Sequence, residues 1–237
     1  MIRTFPTPDE TLKALADYII ELSGKAITKS GRFNVALSGG SSPKKLHQLL
    51  TSPEYRNKID WKNVFLFLGD ERYVPLNHPD SNFRMAKETL IDPLGIDASR
   101  TFPVNTKLSP EDAAADYERV IKYHFNNDCK FDLIILGLGD NSHTASLFPH
   151  TKVLHEQNAL VKSEYIEEVK MNRITFTAPL INAAHAVAFL VYGAGKAEAV
   201  KHIVKDPTNI EEYPAQLIRP VDGELLWFLD EAAAARI

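Results

Sequence analysis

The sequence predicts an α/β fold: a doubly wound, mostly parallel sheet with helices on both faces, spanning residues 1–237 as a single domain. Three observations lead there. First, the apolar runs "FNVAL" (33–37), "VFLFL" (64–68), "FDLIIL" (131–136) and "VAFLV" (187–191) are short and nearly continuous. Strands buried on both faces of a parallel sheet read this way, whereas half-solvated antiparallel strands alternate. Second, the segments between these runs carry apolar residues near the 3.6-residue period, so strand and helix alternate along the chain. Third, the strands end in polar or glycine-rich loops: "SGGSSP", "GDER", "GLGDNSH" and "GAGK". Open α/β sheets bind ligands outside the carboxyl ends of their strands, so these loops are expected to converge on one crevice.

The elements follow in order. Residues 8–30 read as a helix with Thr7 or Asp9 as cap and Leu12, Leu15, Ile19, Ile20 and Leu22 on one face. Phe33 to Leu37 is a strand, Ser38 to Ser42 a tight loop, and Pro43 suits a first helical position. Val64 to Leu68 is a strand leading into the charged loop. Ser81 and Ser109 each precede a helical segment as caps. "FDLIILGLGDNSHTASLF" reads as strand, loop and short helix; "AVAFLVYGAGKAEAVKHIV" repeats that grammar; "LLWFLDEAAAA" closes with a strand and a short helix. Residues 150–177 differ, with short strand-like pieces that suggest antiparallel pairing at a sheet edge.

Composition narrows the function classes. The chain has 237 residues, 44% of them hydrophobic, and a formal net charge of −4. A weakly acidic chain predicts neither nucleic acid nor a membrane surface as partner. The single cysteine, Cys129, excludes an internal disulfide and a cysteine zinc cluster. No signal-peptide core and no run near the ~20 residues of a membrane span occurs, so a soluble cytoplasmic protein is expected. Nothing marks an obligate protein partner, and the oligomeric state is not readable.

Each loop has a chemical and a structural reading. In "SGGSSP", Ser38, Gly39, Gly40, Ser41 and Ser42 lead into a helix. A helix N-terminus offers free N–H groups to an anion, and glycines let the backbone approach it. The alternative is a plain strand-to-helix turn. The P-loop spacing is absent. A dinucleotide fingerprint fails because Ser142 and Glu198 stand where third glycines are needed, so no nicotinamide or flavin cofactor is expected. Asp70, Glu71 and Arg72 either form a solvated turn or place one carboxylate and one arginine toward the crevice. Lys196 lies in a first helical turn, against the dipole, which suggests use on an anion such as phosphate. Arg173 alternates with apolar residues and points either into a pocket or to solvent. His143 has the ordinary pKa of a general base near neutrality, with a structural histidine as the competing role. No metal-ligand spacing includes it, and no metal is expected.

Taken together, "ALSGGSSPKKLHQLL", "FLGDERYVPLNHPDSNFRMAKETL", "LGLGDNSHTASLFP", "RITFTAPLINAA", "FLVYGAGKAEAV" and "YPAQLIRP" with "WFLDEAAA" resemble the 6-phosphogluconolactonases of the glucosamine-6-phosphate deaminase superfamily. The resemblance keeps the same order from about residue 8 to 235. It implies hydrolysis of the sugar-phosphate lactone 6-phospho-D-glucono-1,5-lactone in the pentose phosphate pathway, without a cofactor. It further implies His143 as base, Arg72 as stabiliser of developing negative charge and Asp70 as an orienting carboxylate. The same resemblance puts the 6-phosphate on residues 38–42 with Arg173 and Lys196 around it. One departure stands out. The family pattern Asp-Gly-His is here Asn141-Ser142-His143, so Asp140 or Asp70 is expected to replace the missing carboxylate, or none is needed. Ser142 in place of glycine implies a backbone that tolerates a side chain. The competing functions are an amino-sugar phosphate deaminase or isomerase and a non-catalytic sugar-phosphate sensor. Deaminases carry glutamate five residues after the histidine, where this chain has Phe148.

Overall fold

The computed structural model describes residues 1–237. Its main sheet has six parallel strands in the order β1-β9-β8-β5-β2-β3: β1 (Ile2–Phe5), β2 (Phe33–Leu37), β3 (Val64–Leu68), β5 (Leu133–Leu136), β8 (Ala186–Val191) and β9 (Glu224–Asp230). A smaller antiparallel sheet joins β4 (Asp70–Arg72), β7 (Met171–Phe176) and β6 (Val161–Ile166). Helices α1 (Pro8–Ser30) and α2 (Ser41–Leu50) cover one face of the main sheet. Beside them lie α3 (Asn82–Ala86), a π-turn at Lys87–Ile91 and α4 (Asp92–Leu94). The opposite face is covered by α5 (Pro110–His124), α6 (Ala178–Asn182) and α7 (Ala197–Val204).

The continuous apolar strands divide by alternation. Val35 and Leu37 of β2 and Leu66 and Leu68 of β3 enter a core with Leu12, Leu15 and Ile19 of α1 and Leu46 of α2. Ala36 and Phe67 face the other way, to Tyr117 and Ile121 of α5 and Leu180 of α6. Successive side chains of a strand point to opposite faces, so one unbroken apolar run feeds both cores. Capping sets the helix boundaries. Thr7 accepts the Glu10 N–H to start α1, Ser81 accepts that of Arg84 and Ser109 that of Asp112.

Several expectations require correction. β1 was not expected: its four residues lie half-exposed at a sheet edge, and its partner β9 lies at the far end of the chain. The antiparallel pieces of 150–177 do not edge the main sheet; they form the separate sheet with β4. Residues 137–150 contain no helix. Left-handed residues at Ser142, Ala145 and His150 interrupt them, and Thr144 and Ser146 bond to Gly137 and Thr175 instead of building a ladder. Residues 231–236 form turns rather than a closing helix. Helix α2 starts at Ser41, which makes Pro43 its third residue.

The chain order reverses between β2 and β5. Strand β3 lies outside β2 on one side, and β8 and β9 outside β5 on the other. The carboxyl ends of β2 and β5 therefore flank a switch point, where helices on opposite faces leave a crevice between them.

Candidate active site

An open cavity of about 300 Å³ sits at that switch point. It is lined by every residue named above for the site: Ser38 to Ser42, Asp70, Arg72, His143, Arg173 and Lys196. Asn82, Phe148 and Tyr192 join them.

The segment 38–42 leaves β2 and enters α2 through Gly40, whose φ of 106° favours glycine. The N–H groups of Ser41 and Ser42 lie in the first turn of α2 and lack intrahelical partners, while Pro43 has no N–H to offer. Ser38 is less available than its position suggested. Its hydroxyl donates to the Ile135 carbonyl at 2.7 Å and ties β2 to β5.

Strand β4 sorts its three charged residues by the two-residue period. Asp70 and Arg72 face the cavity; Glu71 faces away. Asp70 accepts from the Ser146 hydroxyl at 2.7 Å and from Asn82 Nδ2 at 3.3 Å, so its carboxylate is held by neutral donors. Glu71 is fully buried and accepts from the backbone N–H groups of Arg72, Asn82 and Phe83 and from the Ser81 hydroxyl. Burial raises its pKa and these donors oppose the rise. The "DER" triplet is thus no solvated turn: one acid serves the cavity and the other anchors α3.

Arg72 and Arg173 are direct cross-strand partners. Like charges in that arrangement repel. Arg72 Nη1 donates to the Asp80 carbonyl at 2.8 Å, but Nε and Nη1 of Arg173 are buried without a partner. Burial also lowers the pKa of Arg173, with the neighbouring Arg72 adding to that effect and Asp70 opposing it. An anion between the two guanidiniums would satisfy these donors and offset the repulsion. Lys196, which lines the cavity, places Nζ 2.6 Å from Oδ1 of the exposed Asp140.

His143 is tightly positioned. Its ring stacks on Phe148 with centroids 3.9 Å apart. A side chain on Gly139 would meet the imidazole at 2.1 Å, so only glycine fits beneath it. Burial pushes its pKa down to about 4; Asp70 opposes this shift, whereas Lys196 and Arg173 add to it. Of the alternatives above, replacement by Asp140 or Asp70 is not seen, since neither hydrogen-bonds the ring. Asn141 itself does, with Oδ1 2.5 Å from Nδ1. Asp140 is drawn to Lys196, and Asp70 is held by Ser146 and Asn82. Ser142 keeps a φ of 63°, so the left-handed conformation suited to glycine persists and the serine adopts it at a cost. No three His, Cys, Asp or Glu side chains converge in a way that could hold a metal ion.

The glucosamine-6-phosphate isomerase/6-phosphogluconolactonase family model matches residues 6–227. The chain belongs to this family. Its relatives include a 6-phosphogluconolactonase of Synechocystis, 41% identical over 218 residues, which cover 90% of this chain and 88% of that protein. The structure of 6-phosphogluconolactonase from Trypanosoma cruzi superposes with a TM-score of 0.88 at 26% identity, covering 100% of this chain and 96% of that one. A monomeric glucosamine-6-phosphate deaminase gives a TM-score of 0.85 at 18% identity over 100% of this chain and 99% of that one, which shows a shared fold. The fold is therefore common to both branches of the 6-phosphogluconolactonase/deaminase family, and the side chains must separate them.

Sequence reasoning missed Ser146 and Asn82, which hold Asp70, and left the partner of His143 open. Both Asp70 contacts span long sequence separations, 76 and 12 residues, so no local pattern reports them. The Asn141–His143 spacing was a usable signal.

Proposed function

We propose that this chain hydrolyses 6-phospho-D-glucono-1,5-lactone to 6-phospho-D-gluconate, the lactone-opening step of the pentose phosphate pathway. The observation that carries this reading is the pairing of His143 with Phe148. An imidazole whose Nδ1 is engaged by Asn141 faces the cavity, and its other contact is an aromatic face, not a carboxylate. Proton movement between sugar carbons, as a deaminase or isomerase requires, needs several positioned acid and base groups. A lactone is an activated ester and needs one base and one stabiliser of negative charge.

His143 Nε2 takes a proton from water as the water oxygen adds to the lactone carbonyl carbon. Burial keeps the ring neutral at pH 7, so it is ready to accept that proton. Arg72 stabilises the oxyanion of the tetrahedral adduct. Asp70, held by Ser146 and Asn82, orients the substrate hydroxyls. The adduct collapses with cleavage of the bond from the carbonyl carbon to the ring oxygen. The proton on His143 passes to that oxygen, leaving a hydroxyl and a carboxylic acid that ionises. The 6-phosphate binds the N–H groups of Ser41 and Ser42, the backbone of Gly39 and Gly40, and the cations Arg173 and Lys196; Ser38 contributes by shaping the turn. Lys196 exchanges Asp140 for the phosphate, a stronger partner with two negative charges.

The test is turnover by purified protein. Lactone generated in situ by glucose-6-phosphate dehydrogenase is followed against its spontaneous hydrolysis. Acceleration proportional to protein concentration is expected. Folded protein that leaves the spontaneous rate unchanged would reject the reading in favour of a binding-only role.

A further inference from the structure

An asparagine beside a catalytic histidine is a chemical problem. Its amide has an accepting end and a donating end of nearly equal shape. If the donating end faces Nδ1, the ring hydrogen moves to Nε2 and the base is lost. In serine proteases, such an amide in place of the orienting carboxylate costs about 10⁴ in kcat through the wrong tautomer. Asn141 holds that position here.

The hairpin between β6 and β7 supplies an answer. Glu168, in the turn Glu167–Val169, places Oε2 2.9 Å from Asn141 Nδ2. A carboxylate only accepts, so Nδ2 must face Glu168 and Oδ1 must face the histidine. Oδ1 lies 2.5 Å from His143 Nδ1 and 3.3 Å from the His143 backbone N–H. An accepting Oδ1 requires hydrogen on Nδ1. A neutral imidazole has one ring hydrogen, so Nε2 keeps its lone pair.

We propose that Glu168 is a positioning residue for His143, acting through Asn141, and that the relay Glu168–Asn141–His143 replaces the direct carboxylate–histidine pair of the family pattern. The charge has moved one amide outward, onto a loop of the small sheet that sequence spacing does not link to the histidine. Glu168 is exposed and does not line the cavity. Its whole effect passes through the orientation of one amide. The relay predicts an antagonism: aspartate at 141 would set two carboxylates face to face while Glu168 remains, and would make Glu168 dispensable once it is removed.

This inference rests on His143 being the base of the proposed reaction, so its test has a readout that needs no turnover. Nitrogen-15 NMR of the imidazole reports which ring nitrogen carries hydrogen. Wild type should show a protonated Nδ1 and a bare Nε2, and Glu168→Ala should shift the ring toward the other tautomer. In the lactone assay Glu168→Ala should lower kcat about tenfold with KM within twofold, because the phosphate contacts are untouched. Glu168→Gln retains an accepting oxygen and should stay within threefold of wild type. Adding Asn141→Asp to Glu168→Ala should restore kcat. Hydrogen on Nε2 in wild type would overturn the proposal, as would an unchanged tautomer and kcat in Glu168→Ala or a loss that Asn141→Asp does not rescue. A tautomer shift in protein that never accelerates lactone hydrolysis would uphold the relay and reject the reaction.

Discussion

Replacing His143 with glutamine removes the base while retaining a polar side chain of similar reach against Phe148. With its pKa near 4, His143 carries a proton in only about one molecule in a thousand at pH 7, so wild type works with its base almost fully available. General-base assistance contributes about 10² to 10⁴ in rate. The expected loss in kcat is of that size, or about 2.7 to 5.5 kcal/mol of barrier. KM should change little, since residues 38–42, Arg173 and Lys196 are untouched. The pH profile gives a second readout. A histidine with a depressed pKa binds its proton only below about 4. At saturating lactone, with the phosphate already bound, wild-type kcat should therefore stay level on acidification through pH 6.5 and fall near pH 4, and the variant should lack that limb. The assay is lactone disappearance above the spontaneous rate, with circular dichroism confirming the fold. A folded glutamine variant within threefold of wild type would refute the role of His143 as base. A wild-type acid limb near 6.5 would refute its desolvated setting.

The other predictions concern binding and stability. Arg173→Ala and Lys196→Ala should each raise KM about tenfold or more with smaller effects on kcat, read from initial rates; unchanged KM in both would remove the phosphate from this end of the cavity. Ser142→Gly should relieve the left-handed strain at φ 63° and stabilise by about 1 kcal/mol, a rise of roughly 2–4 °C in Tm by calorimetry. His47, His124 and His143 all have pKa values lowered to about 4, chiefly by burial. The unfolded chain binds those protons near 6.5 and the folded chain only near 4, so stability is lost as pH falls through that window. The buried His47 alone accounts for a loss on the order of 3 kcal/mol, and a urea midpoint unchanged between pH 7 and 4.5 would contradict this.

Apolar patterning and strand-end loops were enough to read the layered fold and the position of the candidate site. Continuous apolar strands can be buried only between two helical layers, and β2, β3, β5 and β8 form where their runs occur. Loops at the carboxyl ends of parallel strands can only gather at one edge of the sheet. Nine of the ten expected site residues follow such strand ends and line one cavity; the tenth, Arg173, lies on antiparallel β7 and reaches it by pairing with β4. Local capping signals at Thr7, Ser81 and Ser109 were equally legible because each acts within three residues. Tertiary structure decided whatever depends on distant partners. It set β1 against β9 at the opposite end of the chain and the small sheet apart from the large one. It also turned Glu71 inward and Asp70 outward from one triplet, and replaced the short helix after β5 with a loop bonded to β7. The orientation of the Asn141 amide belongs to the same class. A carboxylate 27 residues away takes its donating end, while the His143 backbone N–H meets its oxygen. Hydrogen bonds between side chains act over about 3 Å and carry no periodicity, so they leave no pattern in the sequence until the chain is folded.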